Sequence, residues 1–327
     1  MIVITGAAGF IGSCLATFLN LQGYKDLILV DDFSRTDKHK NFIQCQVRQL
    51  VERSVFFEWL QGKEKHIQFI IHLGARTDTT LQDKTTFEEL NLQFSKNIWL
   101  ACVQHYIPLI YASSAATYGK GEWGFDDDPQ LLPRLAPQNA YACSKQQFDL
   151  WASTQKEQPF FWCGLKFFNV YGPNEYHKGR MASVIWHAFH QIKNTQKLKL
   201  FRSHHPDFRD GEQKRDFVYI KDVLSVIFHF MELRQHSGIY NLGTGQARSF
   251  LELAQIVFRN LELPPKIEFI DIPSDIRNSY QYYTAATTKR LRSTGYTAAF
   301  TSIEEGITEY IQEYLIPQRY YTPDFND

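Results

Sequence analysis

The chain has 327 residues, 44% hydrophobic and 21% charged, which is enough to bury a full α/β core and to form two lobes. Its 35 basic residues balance 35 acidic ones, which excludes a general electrostatic attraction to nucleic acid or to an anionic membrane. The five cysteines are scattered and no apolar run approaches membrane-spanning length, so we expect reduced thiols in a cytoplasmic protein without a metal framework.

The first predicted elements form a βαβ unit. A short apolar strand (2–4) runs into the turn 6–12, which reads Gly-x-x-Gly-x-x-Gly, and apolar residues then recur at helical spacing. The glycines permit a sharp turn, let a diphosphate approach the backbone, and let the helix pack close to the strand. A second strand (27–30) ends in Asp31, about 20 residues beyond the turn, where a ribose ligand is expected. This order predicts a dinucleotide-binding unit.

The loop after Asp31 leaves the choice between NAD and NADP open. Asp31 favours a free 2′-hydroxyl on the adenosine ribose, whereas Arg35, Lys38 or Lys40 can pair with a 2′-phosphate. A solvent-exposed loop accounts for the same cations almost equally well.

Two later strands end where a doubly wound sheet binds its ligands. We expect the turn 74–80, which follows the strand 69–73, to touch the cofactor. The next helix carries Asn91 beside its apolar stripe, and both a cofactor contact and a plain surface position are open for it. The strand 108–114 ends in two serine hydroxyls at the same edge.

Tyr141 and Lys145 lie one turn apart on one face of a predicted helix. A nearby ammonium and a positively charged nicotinamide both favour the phenolate, so such a tyrosine can exchange a proton with a substrate alcohol during hydride transfer. Tyr-x-x-x-Lys alone is common by chance. Together with the glycine turn and the serine-ended strand, it indicates a catalytic site.

Three segments resemble the extended short-chain dehydrogenase/reductase family of sugar-nucleotide epimerases and dehydratases: 5–12 (Thr-Gly-Ala-Ala-Gly-Phe-Ile-Gly), 111–119 (Tyr-Ala-Ser-Ser-Ala-Ala-Thr-Tyr-Gly) and the Tyr-x-x-x-Lys of 141–145. The resemblance runs over essentially the whole chain. It implies an α/β fold, a Rossmann-type doubly wound parallel sheet of about seven strands with a smaller C-terminal α/β substrate-binding lobe. We expect the dinucleotide-binding domain over 1–170 and mainly the substrate lobe over 171–327, with some C-terminal segments returning to the first domain.

The segment 177–184 (His-Lys-Gly-Arg-Met-Ala-Ser-Val) resembles the family members that epimerise C6″ of an ADP-linked heptose, a precursor of the lipopolysaccharide core. Such members hold NADP, with NAD also possible, oxidise C6″ to a ketone, and return the hydride to the opposite face. This cycle needs a proton donor and acceptor on each face of the carbon. The resemblance implies a nucleotide sugar, an ADP-heptose, as the substrate and self-association into a homo-oligomer, without nucleic-acid or membrane partners.

The resemblance also implies the site residues. Tyr141 and Lys178 would exchange protons on opposite faces, while Ser114 bonds the reacting oxygen and Lys145 holds the ribose and tunes Tyr141. The implied cofactor-binding residues are Gly6, Gly9, Phe10, Ile11, Gly12, Asp31, Asp32, Lys38, Arg53, Leu73, Gly74, Ala75, Arg76, Thr77, Asn91, Tyr141, Lys145 and Val170. The implied substrate-binding residues are Ser114, Asn169, Arg180, His187, Phe201, Arg202, Ser203, Arg215 and Tyr280.

Three alternatives follow from the same residues. A 4-epimerase of another nucleotide sugar shares the serine, tyrosine and lysine, and the Lys178 segment weighs against it. A 4,6-dehydratase typically has an Asp-Glu pair after the strand-end hydroxyl, where this chain has Ala115 and Ala116. A non-catalytic dinucleotide-binding module is disfavoured by the intact catalytic set. Arg180 and the long charged stretch 202–214 depart from the family pattern, and 316–327 are predicted to form a loosely ordered tail.

Overall fold

A computed structural model describes residues 1–79, 81, 83–277 and 280–323 of the chain. The strands are β1 (Ile2–Thr5), β2 (Leu27–Asp31), β3 (Gln49–Glu52), β4 (Phe69–His72), β5 (Leu109–Ser114), β6 (Trp162–Phe167), β7 (Asn169–Tyr171), β8 (Leu198–Phe201), β9 (Lys214–Tyr219), β10 (Gly238–Leu242), β11 (Ala247–Ser249) and β12 (Ile267–Ile270).

The α-helices are α1 (Phe10–Leu21), α2 (Phe56–Leu60), α3 (Lys84–Phe87), α4 (Phe94–Gln104), α5 (Ala140–Thr154), α6 (Val184–Thr195), α7 (Ile220–Leu233), α8 (Phe250–Asn260), α9 (Ser274–Arg277), α10 (Lys289–Ser293) and α11 (Ile303–Glu309). Short π-helical segments continue α3 and α11 at Glu88–Gln93 and Tyr310–Leu315. The 3₁₀ segments are Thr36–Asn41, Arg53–Val55, Glu64–His66, Ala115–Tyr118, Pro129–Arg134 and Tyr176–Met181.

Seven strands form a parallel sheet in the order β10-β6-β5-β4-β1-β2-β3, which confirms the predicted doubly wound fold. The central strands β1 and β2 are buried along their whole length, as expected for a parallel sheet covered on both faces. Helices α1 and α7 contribute to the core on one face, and α4 and α5 to the core on the other. The carboxyl ends of the strands therefore lie at one edge of the sheet, and the loops that follow β1, β4 and β5 at this edge carry the predicted site.

Two features differ from the sequence-based expectations. Strand β3 was not predicted, because its solvent-exposed edge position leaves only Val51 buried and so produces no apolar run. The prediction of a loose tail is wrong for residues 316–323. The Tyr321 N–H donates to Asn174 Oδ1 at 2.9 Å, and the Tyr321 carbonyl accepts from the Thr17 hydroxyl at 3.1 Å. Residues 324–327 of that predicted tail lie outside the described residues.

The second half of the chain builds two small sheets and also adds to the large one. Strand β9 lies between β7 and β11, and β8 pairs in parallel with β12. Strand β10 pairs with β6 at the edge of the seven-stranded sheet. The division into 1–170 and 171–327 stays a prediction. Among the described residues, no helix combines the length and the apolar composition needed to cross a membrane.

Candidate active site

The glycine turn forms the floor of a cavity of about 370 Å³ at the carboxyl edge of the large sheet. Gly6 has a φ of +69°, and a side chain there would lie 2.6 Å from the Gly74 backbone. A Cβ on Gly12 would lie 2.2 Å from the Gly6 carbonyl oxygen. These close approaches explain why two of the positions must be glycine. No side chain caps the N-terminus of α1 within the described part of the chain, so that end of the helix is available to an anion.

The structure brings fourteen of the eighteen predicted cofactor-binding residues to the wall of this cavity, together with Lys178. They are Gly6, Gly9, Phe10, Ile11, Gly12, Asp31, Asp32, Lys38, Arg53, Leu73, Gly74, Ala75, Arg76 and Thr77. The other four, Asn91, Tyr141, Lys145 and Val170, lie outside that wall. Thr80, the last residue of the predicted turn 74–80, is outside the described residues.

Asp31 is buried at the end of β2, and its carboxylate is already engaged. Oδ2 accepts from the Ala8 N–H at 2.9 Å, and Oδ1 accepts from the Asp32 N–H at 2.8 Å and from Lys38 Nζ at 3.0 Å. Arg35 and Arg53 line the same part of the cavity. The surroundings of Asp31 are therefore rich in cations.

Asn91 lies beneath the turn that follows β4. It is 1% exposed, its Oδ1 accepts from the Arg76 N–H at 2.8 Å, and its Nδ2 donates to the Arg76 carbonyl at 3.0 Å. Nδ2 also donates to Ser144 Oγ at 3.0 Å, and the Ser144 hydroxyl donates to the Tyr141 carbonyl at 2.7 Å. Asn91 thus joins the cavity wall to α5, and its direct contact with a cofactor stays a prediction.

His72 fixes the start of the same turn. Its two ring nitrogens lie 2.6 Å from Thr5 Oγ1 and 2.8 Å from Ser95 Oγ, and Thr5 Oγ1 also accepts from the Gly74 N–H at 3.2 Å. Burial, with a smaller contribution from nearby Lys145, lowers the pKa of His72 to about 3. The imidazole is therefore neutral and links the ends of β1 and β4.

The first turns of α5 carry Tyr141 and Lys145. The Asn139 side chain caps the helix by accepting from the Ala142 N–H at 2.9 Å, and Lys145 Nζ donates to the Ala112 carbonyl on β5 at 2.8 Å. Burial lowers the pKa of Lys145 to about 8. Burial raises the pKa of Tyr141, and a hydrogen bond with the Ser114 side chain opposes that shift. The structure therefore brings Ser114 and Tyr141 together at the carboxyl end of β5.

A buried polar cluster supports this helix, and the sequence analysis missed it. Asp149 is fully buried and accepts from Lys166 Nζ at 2.7 Å, from the Ser113 hydroxyl at 2.6 Å and from the Tyr111 hydroxyl at 3.1 Å. Asp149 continues the spacing of Tyr141 and Lys145 by one more turn, and that spacing is the signal available in the sequence.

Lys178 reaches the cavity from a different element, the 3₁₀ segment Tyr176–Met181. Its ammonium lies 5.4 Å from the centre of the Phe10 ring, at the start of α1. Burial lowers its pKa, and the nearby carboxylate of Glu175 opposes the shift. The lysine is therefore a cavity residue and not an exposed loop residue.

Three predicted substrate residues lie together in the second half of the chain. The Arg215 guanidinium lies 5.2 Å from the Tyr280 ring centre and 5.6 Å from that of Phe250, and Phe201 packs edge-to-face on Tyr280 at 6.0 Å. Arg215 donates to the carbonyls of Lys214 and Gln281. This buried, stacked guanidinium is held in one orientation before any ligand arrives.

The remaining predicted residues are spread more widely. Asn169 is exposed and Val170 half-buried on β7, which pairs with β9. Arg180 is exposed, and its carbonyl lies 3.4 Å from a ring nitrogen of His187. Within the 202–214 stretch, the Ser203 N–H donates to Asp210 Oδ1 at 2.8 Å and the backbone N–H of Arg202 donates to the Ile270 carbonyl at 2.7 Å.

In the described ranges, no group of three or more His, Cys, Asp or Glu side chains is arranged to hold a metal ion. The paired histidines His204 and His205 instead lie near Asp271 and Asp207, at 3.8 and 3.7 Å.

Comparison with known proteins places the chain in a family. The model of the NAD dependent epimerase/dehydratase family matches residues 2–243. The chain belongs to this family. Its members use a nicotinamide dinucleotide. The residues of this chain fit one, because the glycines of the turn have no side chains to block the approach of a diphosphate and the uncapped N-terminus of α1 faces the cavity.

Individual relatives are similar over nearly their full length. The ADP-L-glycero-D-manno-heptose-6-epimerase of Fusobacterium nucleatum is 44% identical, with 98% of this chain and 100% of that protein aligned. The protein of the same name from Nitratidesulfovibrio vulgaris strain DP4 is 42% identical over 96% and 98% of the two chains. Among solved structures, the Helicobacter pylori ADP-L-glycero-D-manno-heptose-6-epimerase gives a TM-score of 0.80 at 29% identity, covering 95% of each chain. The Thermus thermophilus UDP-glucose 4-epimerase in complex with NAD gives 0.77 at 23% identity over 95% and 97%, which shows a shared fold.

Proposed function

We propose that the chain is an isomerase that converts ADP-D-glycero-β-D-manno-heptose to ADP-L-glycero-β-D-manno-heptose by transient oxidation at C6″. The observation that carries the proposal is the position of Lys178. This half-buried lysine lines the cavity and comes from an element other than the one that carries Tyr141, as a reaction on two faces of one carbon requires. The names of the relatives support the same substrate.

On one face, Tyr141 exchanges the proton of the C6″ hydroxyl. Burial, with a smaller contribution from the charge of Asp149, raises the pKa of Tyr141, so a positive charge beside the phenol is needed before it accepts a proton. Lys145, with a pKa of about 8, is mostly an ammonium at neutral pH and supplies part of that charge. The Ser114 hydroxyl bonds the substrate oxygen. A bound nicotinamide dinucleotide would supply the hydride acceptor and donor for C6″.

On the other face, Lys178 exchanges the proton. Its lowered pKa makes the neutral amine accessible nearer to neutral pH than it is for an exposed lysine. The ketone at C6″ rotates in the site between oxidation and reduction. The C6″ oxygen therefore loses its proton to one of Tyr141 and Lys178 and receives a proton from the other. The sequence of proton transfers reverses when the reaction runs from the L-glycero epimer.

Arg215, Phe201 and Tyr280 bind the ADP part of the substrate. The planar guanidinium of Arg215 can bind a diphosphate with two parallel hydrogen bonds. The aromatic rings of Phe250 and Tyr280 already hold this guanidinium in place. We assign Asn169, Arg180 and His187 to the heptose, and Arg202 and Ser203 to the ADP part, as the family resemblance implies. A nucleotide sugar is the class of ligand that uses both an aromatic-stacked cation and a proton-transfer pair.

NADP is the cofactor that the adenosine-ribose pocket supports best. Lys38 already donates a hydrogen bond to an oxygen of Asp31, and Arg35 and Arg53 line the same cavity. These cations suit a 2′-phosphate better than a free hydroxyl. The cytoplasmic location and the homo-oligomer stay predictions from the sequence.

The test is to incubate the purified protein with ADP-D-glycero-β-D-manno-heptose, without added cofactor, and to follow the C6″ configuration by NMR. A second aliquot is denatured to identify the released dinucleotide. We expect conversion to the L-glycero epimer and release of NADP. The contrary result is that the ADP-heptose is not converted even after both dinucleotides are added, while a UDP-hexose is epimerised. That result would replace the proposal by the 4-epimerase alternative.

A further inference from the structure

One buried carboxylate closes the loop 172–183, which carries Lys178. Glu175 is 0% exposed, and its Oε1 accepts from the Gly172 N–H at 3.4 Å and from the Ser183 hydroxyl at 2.7 Å. Its Oε2 accepts from the Ser183 N–H. Ser183 also caps α6 by accepting from the Trp186 N–H. A single side chain thus ties the start of the loop to the first turn of the following helix, with Lys178 between them.

The C-terminal segment, residues 310–321, holds the same loop from the outside. The Tyr310 hydroxyl donates to Oε1 of Glu175 at 3.0 Å. The Tyr321 N–H donates to Asn174 Oδ1 at 2.9 Å, and Asn174 Nδ2 donates back to the Tyr321 carbonyl at 3.3 Å. Asn174 is fully buried and has a φ of +72°. These bonds join parts of the chain that lie more than 130 residues apart in sequence.

Tyr176 makes a third connection to that segment. Its hydroxyl donates to the Arg319 carbonyl at 2.8 Å, and its ring packs edge-to-face on Tyr320 at 5.0 Å. The backbone N–H of Lys178 donates to the Glu175 carbonyl at 2.9 Å. The residues immediately before Lys178 are therefore fixed on both sides, and the lysine extends from a supported backbone.

We propose that Glu175 is the positioning residue of Lys178 and that the C-terminal segment completes its support. This inference rests on the proposed function, in which Lys178 exchanges a proton with the substrate. Glu175 is fully buried and does not line the cavity, so it acts on the reaction through Lys178 and the loop that carries it. Displacing a reacting group by about 1 Å costs on the order of 100-fold in rate, so contacts remote from the cavity control the reaction at the second face.

The carboxylate of Glu175 also acts on Lys178 through its charge, which favours the protonated amine and opposes the effect of burial on the pKa of Lys178. Among the described residues, the other titratable groups packed around this pair are Tyr176 and His177 on the loop, Cys14 on α1 and Tyr310 in the C-terminal segment. Burial lowers the pKa of His177 to about 4 and raises the pKa values of Tyr176, Cys14 and Tyr310. All four are therefore neutral near pH 7, and removing the charge of Glu175 must lower the pKa of Lys178 further.

The decisive variant is Glu175→Gln, compared with Asp222→Asn as a matched control. Asp222 is another buried carboxylate, and it accepts two hydrogen bonds of 2.9 Å from Thr301, outside the loop. The glutamine keeps the volume but loses the charge and turns an amide donor towards the Ser183 N–H. We expect kcat of Glu175→Gln to fall roughly 10- to 100-fold with an unchanged KM for the nucleotide sugar, and kcat of Asp222→Asn to stay near that of the wild type.

The pH profile distinguishes positioning from a general structural role. In each direction the pair of Tyr141 and Lys178 must hold one proton between them, so both directions show the same two limbs, and one of them reports the titration of Lys178. In Glu175→Gln we expect that limb to move to lower pH in both directions, while the limb of Tyr141 stays. A loss of activity with both limbs unmoved would overturn the positioning role.

If Glu175→Gln does not retain the dinucleotide, Tyr310→Phe provides the test, because it removes one hydrogen bond and keeps the charge. We expect a decrease in kcat of roughly 3- to 10-fold for Tyr310→Phe, the effect of one such bond. An unchanged kcat would overturn the proposal. Wild-type protein that does not epimerise the ADP-heptose would overturn the proposed function itself, whereas active wild type with an unaffected Glu175→Gln would overturn only the positioning role.

Discussion

The two proposed proton-transfer groups lie on structurally different supports. Tyr141 is on the long helix α5, where Lys145 and Asp149 follow at regular helical spacing. Lys178 is on a short 3₁₀ segment that is held by Glu175 and by the C-terminal segment. The first site is thus set mainly by the register of one helix, and the second by contacts between distant parts of the chain.

Burial also acts oppositely on the two groups. It raises the pKa of Tyr141, which moves the phenol away from neutrality, and it lowers the pKa of Lys178, which moves the amine towards neutrality. Tyr141 therefore depends on the neighbouring positive charge of Lys145. Lys178 depends on its own burial, and the charge of the Glu175 carboxylate opposes the resulting decrease in its pKa. An enzyme that transfers protons on both faces of one carbon can thus combine a tyrosine assisted by a neighbouring cation with a lysine whose pKa is lowered by burial.

The largest expected effect comes from removing each proton-transfer group separately. Both Lys178→Met and Tyr141→Phe are expected to lower kcat for epimerisation by roughly 10²- to 10⁴-fold while the dinucleotide stays bound, because neither group replaces the other on its face. The control is Lys193→Met, which changes an exposed lysine on α6. Steady-state kinetics and release of the dinucleotide measure the outcome. Normal turnover by Lys178→Met would mean that one base serves both faces.

The support under Tyr141 is tested next. Asp149→Asn leaves Lys166 buried without its carboxylate, so we expect a loss of about 3 kcal/mol in the free energy of unfolding. The exposed pair of Asp26 and Arg48 provides the control, since Asp26→Asn is expected to cost less than about 1 kcal/mol. Urea unfolding of both variants checks the difference. Equal stability of the two variants would contradict the role of the buried cluster.

A change at Arg215, which is proposed to bind the ADP part of the substrate, is expected to affect the reactions at Tyr141 and at Lys178 equally. Arg215→Lys replaces the stacked, planar guanidinium by a point charge, so KM for the nucleotide sugar should rise about 10-fold in both directions, without a shift of either pH limb. Arg234→Lys is the matched control, because Arg234 lies 5.5 Å from the Phe69 ring centre, away from the cavity. A larger change in kcat than in KM would indicate that Arg215 acts on the chemistry.

The smallest effect concerns the adenosine-ribose pocket. Lys38→Ala is expected to weaken NADP binding roughly 5- to 10-fold and to leave NAD binding nearly unchanged, the effect of one charge-assisted hydrogen bond. Arg48→Ala, outside the cavity, is the control. Equilibrium binding to protein stripped of its dinucleotide measures both affinities. Equal losses for the two dinucleotides would contradict a contact with the 2′-phosphate.

Much of the first site is readable from the sequence because its signals are local. The turn 6–12, the helical spacing of Tyr141 and Lys145, and the apolar runs of the buried strands each occupy a short window. Strand β3 was missed because a strand on the edge of the sheet carries polar residues.

The second site shows what a local pattern does not contain. Lys178 was identified only through a family resemblance, and nothing in its neighbourhood of the sequence indicates that Tyr310 reaches Glu175 or that Tyr321 reaches Asn174. The predicted loose tail was wrong for the same reason. Its anchoring depends on hydrogen-bonding partners that only the folded chain brings close.

The most direct test of the account is epimerisation of ADP-D-glycero-β-D-manno-heptose by the wild-type protein in D₂O, followed by proton NMR at C6″. Oxidation and hydride return predict inversion at C6″ with protium retained on that carbon, and inversion that is roughly 10²- to 10⁴-fold slower in Lys178→Met and Tyr141→Phe. Deuterium on C6″, or inversion at another carbon, would contradict the account.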